Sequence, residues 1–418
     1  METPMPMERA EIIALFQVGV RAADPGAAVE RALAAHPLST GGRLVVLALG
    51  KAGLSMMRAA LAVLSPPAQA LVVTNHENAG DLPGARVLAA GHPVPDENGL
   101  RAGQQVLQML AQAGANDTVL VLVSGGGSAL LPAPVPGLTL ADKAAVNELL
   151  LGAGLDITEM NAVRQHLSAL KGGGLLRAAA PARVTALILS DVIGDDLRVI
   201  ASGPTVAPIR PRAQVVAGLK ERGLWARLPA AARAALERPE AEEPLPAATN
   251  RLIGSNRMSL DAMAGAAPEA RILSDALTGD VAEAAQAICD AAASTPRGTG
   301  LLALFGGETT VHLHGTGQGG RNQELALRVA QGLSAALPPD RGWRFLSGGT
   351  DGRDGPTDAA GGVTDPHTIN RITAAGGDLQ ALLANNDSYH ALGLSGDLLR
   401  IGATGTNVAD LQVLSLDP

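Results

Sequence analysis

Short apolar runs bounded by turn-forming residues recur along the first half of the chain. The run Leu44–Leu49 is wholly apolar and stops at Gly50, which is the pattern of a strand buried on both faces of a parallel sheet. Intervals long enough for helices separate most of these runs, so the rhythm predicts βαβ units and a doubly wound parallel sheet. The predicted strands are Leu44–Leu49, Leu71–Val73, Val87–Ala90, Thr118–Val123 and Val184–Leu189.

Helical spacing replaces strand spacing at the N-terminus. Apolar residues from Ile12 to Val20 fall on one helix face, and Asp24-Pro25 ends that helix. Residues 27–35 predict a second helix. Both precede the first strand, so we expect these first helices to pack either on its sheet or on another domain.

A change in composition at residues 237–250 predicts a domain boundary. The segment holds three prolines and four glutamates and has few apolar anchors. We therefore expect one domain over residues 1–240 and a second, smaller α/β domain with a mixed sheet over residues 250–418. The predicted strands of the second domain are Arg271–Leu273, Leu301–Phe305, Val311–His314, Trp343–Leu346 and Val408–Leu414.

Length, charge and aromatic content limit the class of function. A chain of 418 residues exceeds what one hydrophobic core usually supports, which fits two domains. The net charge is −8, and the aromatic residues number only two Trp, one Tyr and three Phe. Both argue against a nucleic-acid partner, because phosphate backbones attract cations and single strands need stacking platforms.

Cysteine usage and the N-terminus bear on the compartment. Cys289 is the only cysteine, which excludes an intrachain disulfide framework and a Cys-based metal site and fits a reducing cytoplasm. Glu8 and Glu11 interrupt the order expected of a signal peptide. No run of about 18 apolar residues occurs, so no membrane span is expected. We expect a cytoplasmic protein with small-molecule partners, either a monomer or a homodimer.

Glycine is in excess, at 50 of 418 residues, and it clusters behind the predicted strands. Ligands of open α/β sheets bind beyond the carboxyl ends of the strands, so these clusters are candidate sites. Behind the first strand, Gly50-Lys51-Ala52-Gly53 places a lysine at the start of a predicted helix. Its full charge adds to the partial positive charge of the helix N-terminus. The alternative is a lysine that merely points into solvent.

Three consecutive glycines follow the fourth predicted strand. They expose successive backbone N–H groups that can form an anion-binding nest, whereas a tight turn needs only one or two glycines. We predict a phosphate-binding loop for the cofactor formed by Ser124, Gly125, Gly126, Gly127 and Ser128.

Carboxylates follow the fifth predicted strand at Asp191, Asp195 and Asp196. Mg²⁺ takes oxygen ligands and usually works beside phosphates, so Asp191 and Asp195 are candidate metal ligands. Alternatively, Asp191 caps a helix and the other two are solvated.

Two glycine-rich segments of the second half suggest another anion site, because the second of them leads into Arg321 at the start of a predicted helix. Arginine offers planar, bidentate donors to a phosphate or carboxylate. The alternative is an ion pair between Arg321 and Glu308 or Glu324. The candidate cofactor-binding residues of these segments are Gly306, Gly307, Glu308, Gly319 and Gly320.

The segment from Ser347 to Asp358 holds three carboxylates and four glycines. Asp351 lies just past a predicted strand, where a general base or a metal ligand would sit. An aspartate that only closes a glycine-rich turn is the alternative.

Two further pairs carry weaker signals. His312 and His314 alternate along a predicted strand, but no third ligand lies at a metal-binding spacing, which favours packing or exposure. Arg164 and Lys171 share a face if one helix covers both, and they either reach an anion or lie on the surface.

Taken together, these segments resemble the type II glycerate kinase family, the glycerate 2-kinases with a C-terminal MOFRL domain. The likeness covers nearly the whole chain, in the family's order. Each motif is weak alone, whereas the ordered set is specific. The matching stretches are Leu49-Gly50-Lys51-Ala52, Ser124-Gly125-Gly126-Gly127-Ser128-Ala129-Leu130, Asn161-Ala162-Val163-Arg164, Lys171-Gly172-Gly173, Ser190-Asp191-Val192-Ile193-Gly194-Asp195, Ser202-Gly203-Pro204-Thr205, Gly306-Gly307-Glu308-Thr309-Thr310, Gly319-Gly320-Arg321-Asn322-Gln323-Glu324 and Thr350-Asp351-Gly352.

The resemblance implies ATP-dependent and Mg²⁺-dependent phosphorylation of D-glycerate to 2-phosphoglycerate. It implies a Rossmann-like first domain, a smaller MOFRL-like second domain, and an active site in the cleft between them. It also implies that Lys51 and Arg321 are catalytic. Asp351 or Asp191 would accept the hydroxyl proton or hold Mg²⁺, with Asp195 as a further metal ligand.

Two other functions compete. Some relatives carry the older label hydroxypyruvate reductase, which suggests an NAD(P)H-dependent enzyme. Gly315, Gly317 and Gly320 do fit G-x-G-x-x-G, but the acid about 20 residues on, Asp340, precedes a predicted strand instead of ending one. The third possibility is a non-catalytic binding protein for sugar acids.

Overall fold

The structure, a computed structural model, describes residues 7–39, 41–239 and 244–418. The chain divides into two compact units. The N-terminal unit is Pro25–Ile253, and the C-terminal unit is Gly254–Pro418 together with helix α1 (Arg9–Ala22). Residues 240–243, within the segment predicted to join the domains, lie outside the described residues.

The N-terminal unit is built on one six-stranded sheet with the order β3-β2-β1-β4-β5-β6. The first five strands of that order pair in parallel, as the buried apolar runs predicted. The strands are β1 Leu44–Leu49, β2 Gln69–Asn75, β3 Arg86–Ala90, β4 Thr118–Val123, β5 Arg183–Leu189 and β6 Ala248–Gly254. The helices are α2 Pro25–Ala35, α3 Gly53–Val63, α4 Glu97–Leu110, α5 Gly127–Leu130, α6 Leu140–Gly152, α7 Ile157–His166, α8 Gly174–Ala179, α9 Arg212–Glu221 and α10 Ala230–Leu236.

Two hydrophobic clusters stabilise this unit. Alternate residues of the central strands, such as Leu47 and Val121, pack against the apolar face of α4. Asp96 caps α4, since its carboxylate accepts a hydrogen bond from the N–H of Gly99 at 2.8 Å. A separate cluster joins α6, α7, α9 and α10. This helical layer begins with α6, which follows β4 and its loop in the sequence.

The C-terminal unit contains a six-stranded mixed sheet with the order β11-β10-β9-β12-β8-β7. Only the β7–β8 pair is parallel, and the other four are antiparallel. The strands are β7 Arg271–Asp280, β8 Leu301–Thr310, β9 Trp343–Gly349, β10 Gly361–Thr364, β11 Leu398–Leu399 and β12 Asp410–Leu416. The helices are α11 Asn256–Ala266, α12 Val281–Ala293, α13 Arg321–Ala336, α14 Thr368–Ala374, α15 Leu379–Ala384 and α16 Ser388–Ser395.

Helices cover both faces of the mixed sheet. Phe16 of α1 and Met263 of α11 pack with Leu304 and other strand residues on one face. On the other face, α12 and α13 pack against strand residues such as Phe305. The α/β class with a doubly wound parallel sheet and a second, mixed sheet is therefore confirmed, and α1 packs within the C-terminal unit.

Three local predictions are wrong. Residues 311–314 form no strand, so His312 and His314 do not share a strand face. Strand β8 continues through Gly306–Thr310, beyond its predicted end at Phe305. Helix α7 ends at His166, so no single helix carries both Arg164 and Lys171.

In the part of the chain that the structure describes, no single helix has both the length and the apolar character to cross a membrane, although the bent pair α1 and α2 reaches them together.

Candidate active site

The Lys51 turn and the three-glycine loop meet where the strand order of the N-terminal sheet reverses. Strand β1 lies between β2 and β4, and Leu49 pairs with Val123 at the carboxyl ends of β1 and β4. Gly50 and Ser124 therefore leave the sheet side by side. This reversal is the position at which doubly wound sheets bind their ligands.

Hydrogen bonds join these two turns. The N–H of Lys51 donates to the carbonyl of Gly125 at 2.8 Å, and the N–H of Ala52 donates to Ser124 Oγ at 3.1 Å. The N–H of Ser124 donates to the carbonyl of Leu49 at 2.9 Å. Ser124 was predicted to bind the cofactor, but it is 1% exposed and its hydroxyl lies within this network. Its role in the structure is to hold the Lys51 turn against the loop.

The glycines of the loop are required by its geometry. Gly126 has φ +83°, and a Cβ there would lie 3.1 Å from both Lys51 Cγ and His92 Cδ2. Among the described residues, the backbone N–H groups of Gly125, Gly126 and Gly127 donate to no protein acceptor. Three free donors beside a lysine side chain form a cradle for an anion. Burial and then the Lys51 charge lower the pKa of His92.

Asp191 joins this loop. A Cβ on Gly125 would overlap the Asp191 carboxylate, so the missing side chain makes room for it. Asp195 lies in the same turn, in the left-handed region at φ +54°. The structure brings none of the predicted metal ligands into a cluster, since no three His, Cys, Asp or Glu among the described residues form a group that could hold a metal ion. The third predicted ligand, Asp351, belongs to the C-terminal unit.

Ser128 connects the loop to a buried lysine. Lys171 Nζ donates to the carbonyl of Ser128 at 2.8 Å and contacts its Oγ at 2.9 Å. The same hydroxyl lies 2.8 Å from Ser202 Oγ. Ser128 therefore shares a hydrogen-bond network with Lys171, which the resemblance singled out only as part of a motif.

In the C-terminal unit, Arg321 is held by two carboxylates. Its Nε and Nη2 donate to Asp410 at 2.6 and 3.0 Å, and its Nη1 donates to Glu308 at 2.7 Å. Burial acts to lower the pKa of Arg321, but Asp410 and Glu308 outweigh it and raise the pKa above its ordinary value. The ion pair with Glu308 is therefore present. Glu324 pairs instead with Arg328, at 2.7 Å.

Asp410 lies between two glycines of the neighbouring strands in the mixed sheet. It pairs with Gly307 on one side and with Gly349 on the other, so neither neighbour carries a side chain. A Cβ on Gly349 would lie 3.2 Å from Asp351 Oδ1 and 3.6 Å from Asp410 Oδ1. A side chain at Gly349 would therefore approach both the Asp351 and the Asp410 carboxylates. Asp351 also closes its own turn, because Oδ1 accepts a hydrogen bond from the N–H of Arg353 at 2.9 Å.

Close packing within the unit accounts for the other predicted glycines. A Cβ would overlap Asn256 at Gly306, the backbone of Leu277 at Gly307, Ser388 at Gly319 and Asp354 at Gly320. The G-x-G-x-x-G match has the same origin, because Gly315 and Gly317 lie against the backbone of Asn385 and against Asp387. Asp340, the acid of that match, forms an exposed ion pair with Arg297.

Sequence reasoning missed three residues near these sites. His92 lies beside Gly126, Lys143 of α6 lies near the loop, and Asp410 anchors Arg321. The scarcity of lysine in this chain is the one sequence signal that could have drawn attention to Lys143. Asp410 had another, since it is a carboxylate at the start of a strand whose other residues are mostly apolar.

A doubly wound sheet with a glycine-rich loop and a lysine at its switch point, together with a mixed-sheet unit, defines the α/β class of this protein. Family models match both parts: the domain of unknown function DUF4147 over residues 11–237 and the MOFRL family over residues 301–410. The chain belongs to this DUF4147–MOFRL family, and the resemblance to type II glycerate kinases is confirmed.

Individual relatives match over nearly their full length. The chain is 39% identical to the D-glycerate 2-kinase of Thermotoga maritima, covering 96% of both chains. It is 41% identical to an Agrobacterium vitis protein provisionally named hydroxypyruvate reductase, covering 96% of this chain and 92% of that one. A crystal structure of the Thermotoga maritima glycerate kinase superposes with a TM-score of 0.88 at 38% identity, over 96% of this chain and 97% of that one.

Proposed function

We propose that this protein transfers the γ-phosphoryl group of ATP to the 2-hydroxyl of D-glycerate, giving 2-phosphoglycerate and ADP. The names of similar proteins support glycerate as acceptor and phosphoryl transfer as chemistry. The observation that carries the proposal is the juxtaposition of Lys51 with three free N–H groups at the β1–β4 switch point. Phosphoryl transfer depends mainly on such positioning and charge stabilisation.

Each group of the N-terminal site has a role in this reaction. The N–H groups of Gly125, Gly126 and Gly127 donate to phosphate oxygens, and Lys51 neutralises their charge. The bond from the γ-phosphorus to ADP breaks as the bond to the glycerate oxygen forms, and the hydroxyl proton leaves to a carboxylate. Arg321 and Asp351 are the further residues that we propose as catalytic.

Asp191 is the residue that we propose for Mg²⁺. Its carboxylate lies at the phosphate-binding loop, and Mg²⁺ bound with a nucleotide needs only one or two protein carboxylates. A cluster of three acids is therefore not required. When bound, Mg²⁺ would neutralise charge on the phosphates.

Reduction of hydroxypyruvate is the competing function, because a similar protein bears that name. The strand order β3-β2-β1-β4-β5-β6 is also that of dinucleotide-binding domains. However, the β1–α3 turn has Lys51 between its glycines in place of G-x-G-x-x-G, and β2 ends at Asn75 instead of at an acid that could bind a ribose.

A ³¹P NMR spectrum of the protein with ATP, Mg²⁺ and D-glycerate tests the proposal. We expect a new phosphomonoester signal that matches 2-phosphoglycerate, and none when D-glycerate is omitted. A parallel sample with NADH and hydroxypyruvate should show no loss of NADH absorbance. Unchanged ATP together with consumption of NADH would replace the kinase with the reductase.

A further inference from the structure

A pocket of about 410 Å³ opens beside the three-glycine loop, wholly within the N-terminal unit. Its walls come from the loop, from the helical layer and from the segment that follows β3. Apolar residues such as Val94, Leu140 and Leu167 form part of the lining. The volume is at the small end of the range for ligand sites, so it suits a compact molecule better than a whole nucleotide.

Three cations from separate parts of the chain line this pocket: Lys143 on α6, Arg164 on α7 and Lys171 beyond the end of α7. Their hydrogen bonds go to uncharged acceptors. Lys143 Nζ donates to the carbonyls of Pro132 at 2.7 Å and Leu167 at 3.2 Å, and Arg164 donates to the side-chain oxygen of Asn147. Lys171 donates to Ser128, as described above.

Within the described residues, none of the three forms an ion pair with a carboxylate. One acid, Glu148, also lines the pocket, but it pairs with none of them. Burial and then the charge of Arg164 lower the pKa of Lys143 to about 7. Burial, Lys143 and Arg164 lower the pKa of Lys171 well below its ordinary value.

Converging like charges without counter-ions are unfavourable in a buried setting. A bound anion would relieve that repulsion, so the arrangement is one that an anionic ligand completes. Gly126 and Ser128 line the pocket, and Gly126 is also the residue that lies against Lys51. An anion held here would consequently sit next to the loop proposed for the phosphates.

We propose that this pocket binds the carboxylate of D-glycerate, with Lys143 and Arg164 as its ligands and Lys171 as a further lysine of the lining. The inference rests on the proposed function and assigns the acceptor to the N-terminal unit. It makes the pocket the element that selects a hydroxy acid over an uncharged polyol such as glycerol.

Steady-state kinetics of the full chain tests this assignment with Lys143→Met, which keeps the length of the side chain and removes its charge. We expect KM for D-glycerate to rise on the order of 10- to 100-fold, as for loss of a charge-assisted hydrogen bond. We expect kcat and KM for ATP to stay near wild type, because uniform binding of the acceptor is lost. Lys220→Met, at an exposed lysine of α9 in the same unit, is the matched control and should change neither constant.

Arg164→Gln provides an independent variant, and it should raise KM for D-glycerate in the same way. Thermal unfolding of each variant verifies that the chain is folded. A rise in KM for ATP instead of KM for D-glycerate would assign the pocket to nucleotide phosphates and overturn the proposal. Unchanged constants in both variants would overturn it as well.

Calorimetric titration of D-glycerate without ATP separates this inference from the proposed function. Loss of binding in Lys143→Met but not in Lys220→Met supports the pocket even if the wild-type protein transfers no phosphoryl group. Normal turnover with unaltered binding in Lys143→Met refutes the pocket and leaves the kinase function standing.

Discussion

The guanidinium of Arg321 forms a bidentate ion pair with Asp410, a carboxylate that is 1% exposed and lies between two glycines of the mixed sheet. The pair is the main electrostatic anchor of the residue that the family resemblance marks as catalytic. A residue anchored in this way presents one preferred orientation, because its planar head cannot rotate without losing both bonds.

Asp410→Asn should destabilise the protein. Breaking the pair should lower the free energy of unfolding by about 2–4 kcal/mol. The loss is somewhat smaller than for a fully buried pair, because the Arg321 side chain is 33% exposed. Urea unfolding measures the change. Asp340→Asn, which removes an exposed pair with Arg297, is the control and should cost less than about 0.5 kcal/mol. Equal stability of the two variants would show that Asp410 is no anchor.

Lys51→Ala should lower turnover by at least about 100-fold, as for removal of one group that stabilises transferring charge. Lys51 contacts no carboxylate among the described residues, so the loss should appear in kcat with little change in stability. Lys220→Ala is the control at an exposed lysine. Wild-type turnover in Lys51→Ala would remove the centre of the proposed mechanism.

Gly126→Ala should impair both the loop and the reaction. The residue has φ +83°, which costs an L-residue about 1–2 kcal/mol, and the new methyl group would crowd Lys51 and His92. We expect a lower melting temperature and at least about a tenfold loss of kcat. Gly152→Ala, near the end of α6 with open space at its Cβ position, should instead be neutral or stabilising by up to about 1 kcal/mol. Full activity of Gly126→Ala would separate the loop from the chemistry.

Asp354 should make stability depend on pH. Its carboxylate accepts hydrogen bonds from the N–H groups of Asn322 and Gln323 at 3.1 and 2.8 Å, at the start of α13. Burial, with the charge of Asp410 adding to it and Arg321 opposing it, raises the pKa of Asp354 to about 7. The folded state therefore holds a proton that the unfolded state releases near pH 4.

The sign follows from that difference. The contribution of Asp354 is fully present below about pH 4 and is lost as the pH rises to about 7, at up to about 1.4 kcal/mol per pH unit. Urea unfolding of the wild type and of Asp354→Asn across this range isolates it: the wild type should lose stability relative to the variant as pH rises. A relative gain would mean that the ionised carboxylate is the favoured form at the helix start.

The strands of the N-terminal sheet could be predicted closely from the sequence. Leu44–Leu49 and Thr118–Val123 are uninterrupted runs that lie buried on both faces, and their observed bounds coincide with the predicted ones. The edge strand β6 and the short β10 contain polar residues and glycine, and β11 is only two leucines long, so none of them carries such a run. Their existence depends on neighbouring strands and leaves little local signal.

Local patterns failed where tertiary contacts decide the backbone. Residues 311–314 alternate in polarity, yet the amide of Asn386 binds this segment and the glycines after it rest on Asn385 and Asp387. Gly307 lies beyond the predicted end of its strand at Phe305, yet it continues β8, where the backbone of Leu277 leaves no room for a side chain.

The cationic pocket was beyond sequence reasoning for a similar reason. Lys143, Arg164 and Lys171 lie on different elements, and only the packing of the helical layer brings them together. Arg164 and Lys171 drew attention through a spacing that assumed one helix, and the assumption was wrong although both residues reach one pocket.

The hydrogen bonds that join the Lys51 turn to the loop behind β4 also bear on how tightly a ligand can bind. Loops that become ordered only around a ligand lose conformational entropy at that moment, and this loss is subtracted from the affinity. Here hydrogen bonds of Lys51 and Ser124 already hold the turn at Gly50 against the loop at Gly125 in the folded chain. The entropic cost of ordering the phosphate cradle is met during folding, so more of the interaction energy remains for selecting the ligand.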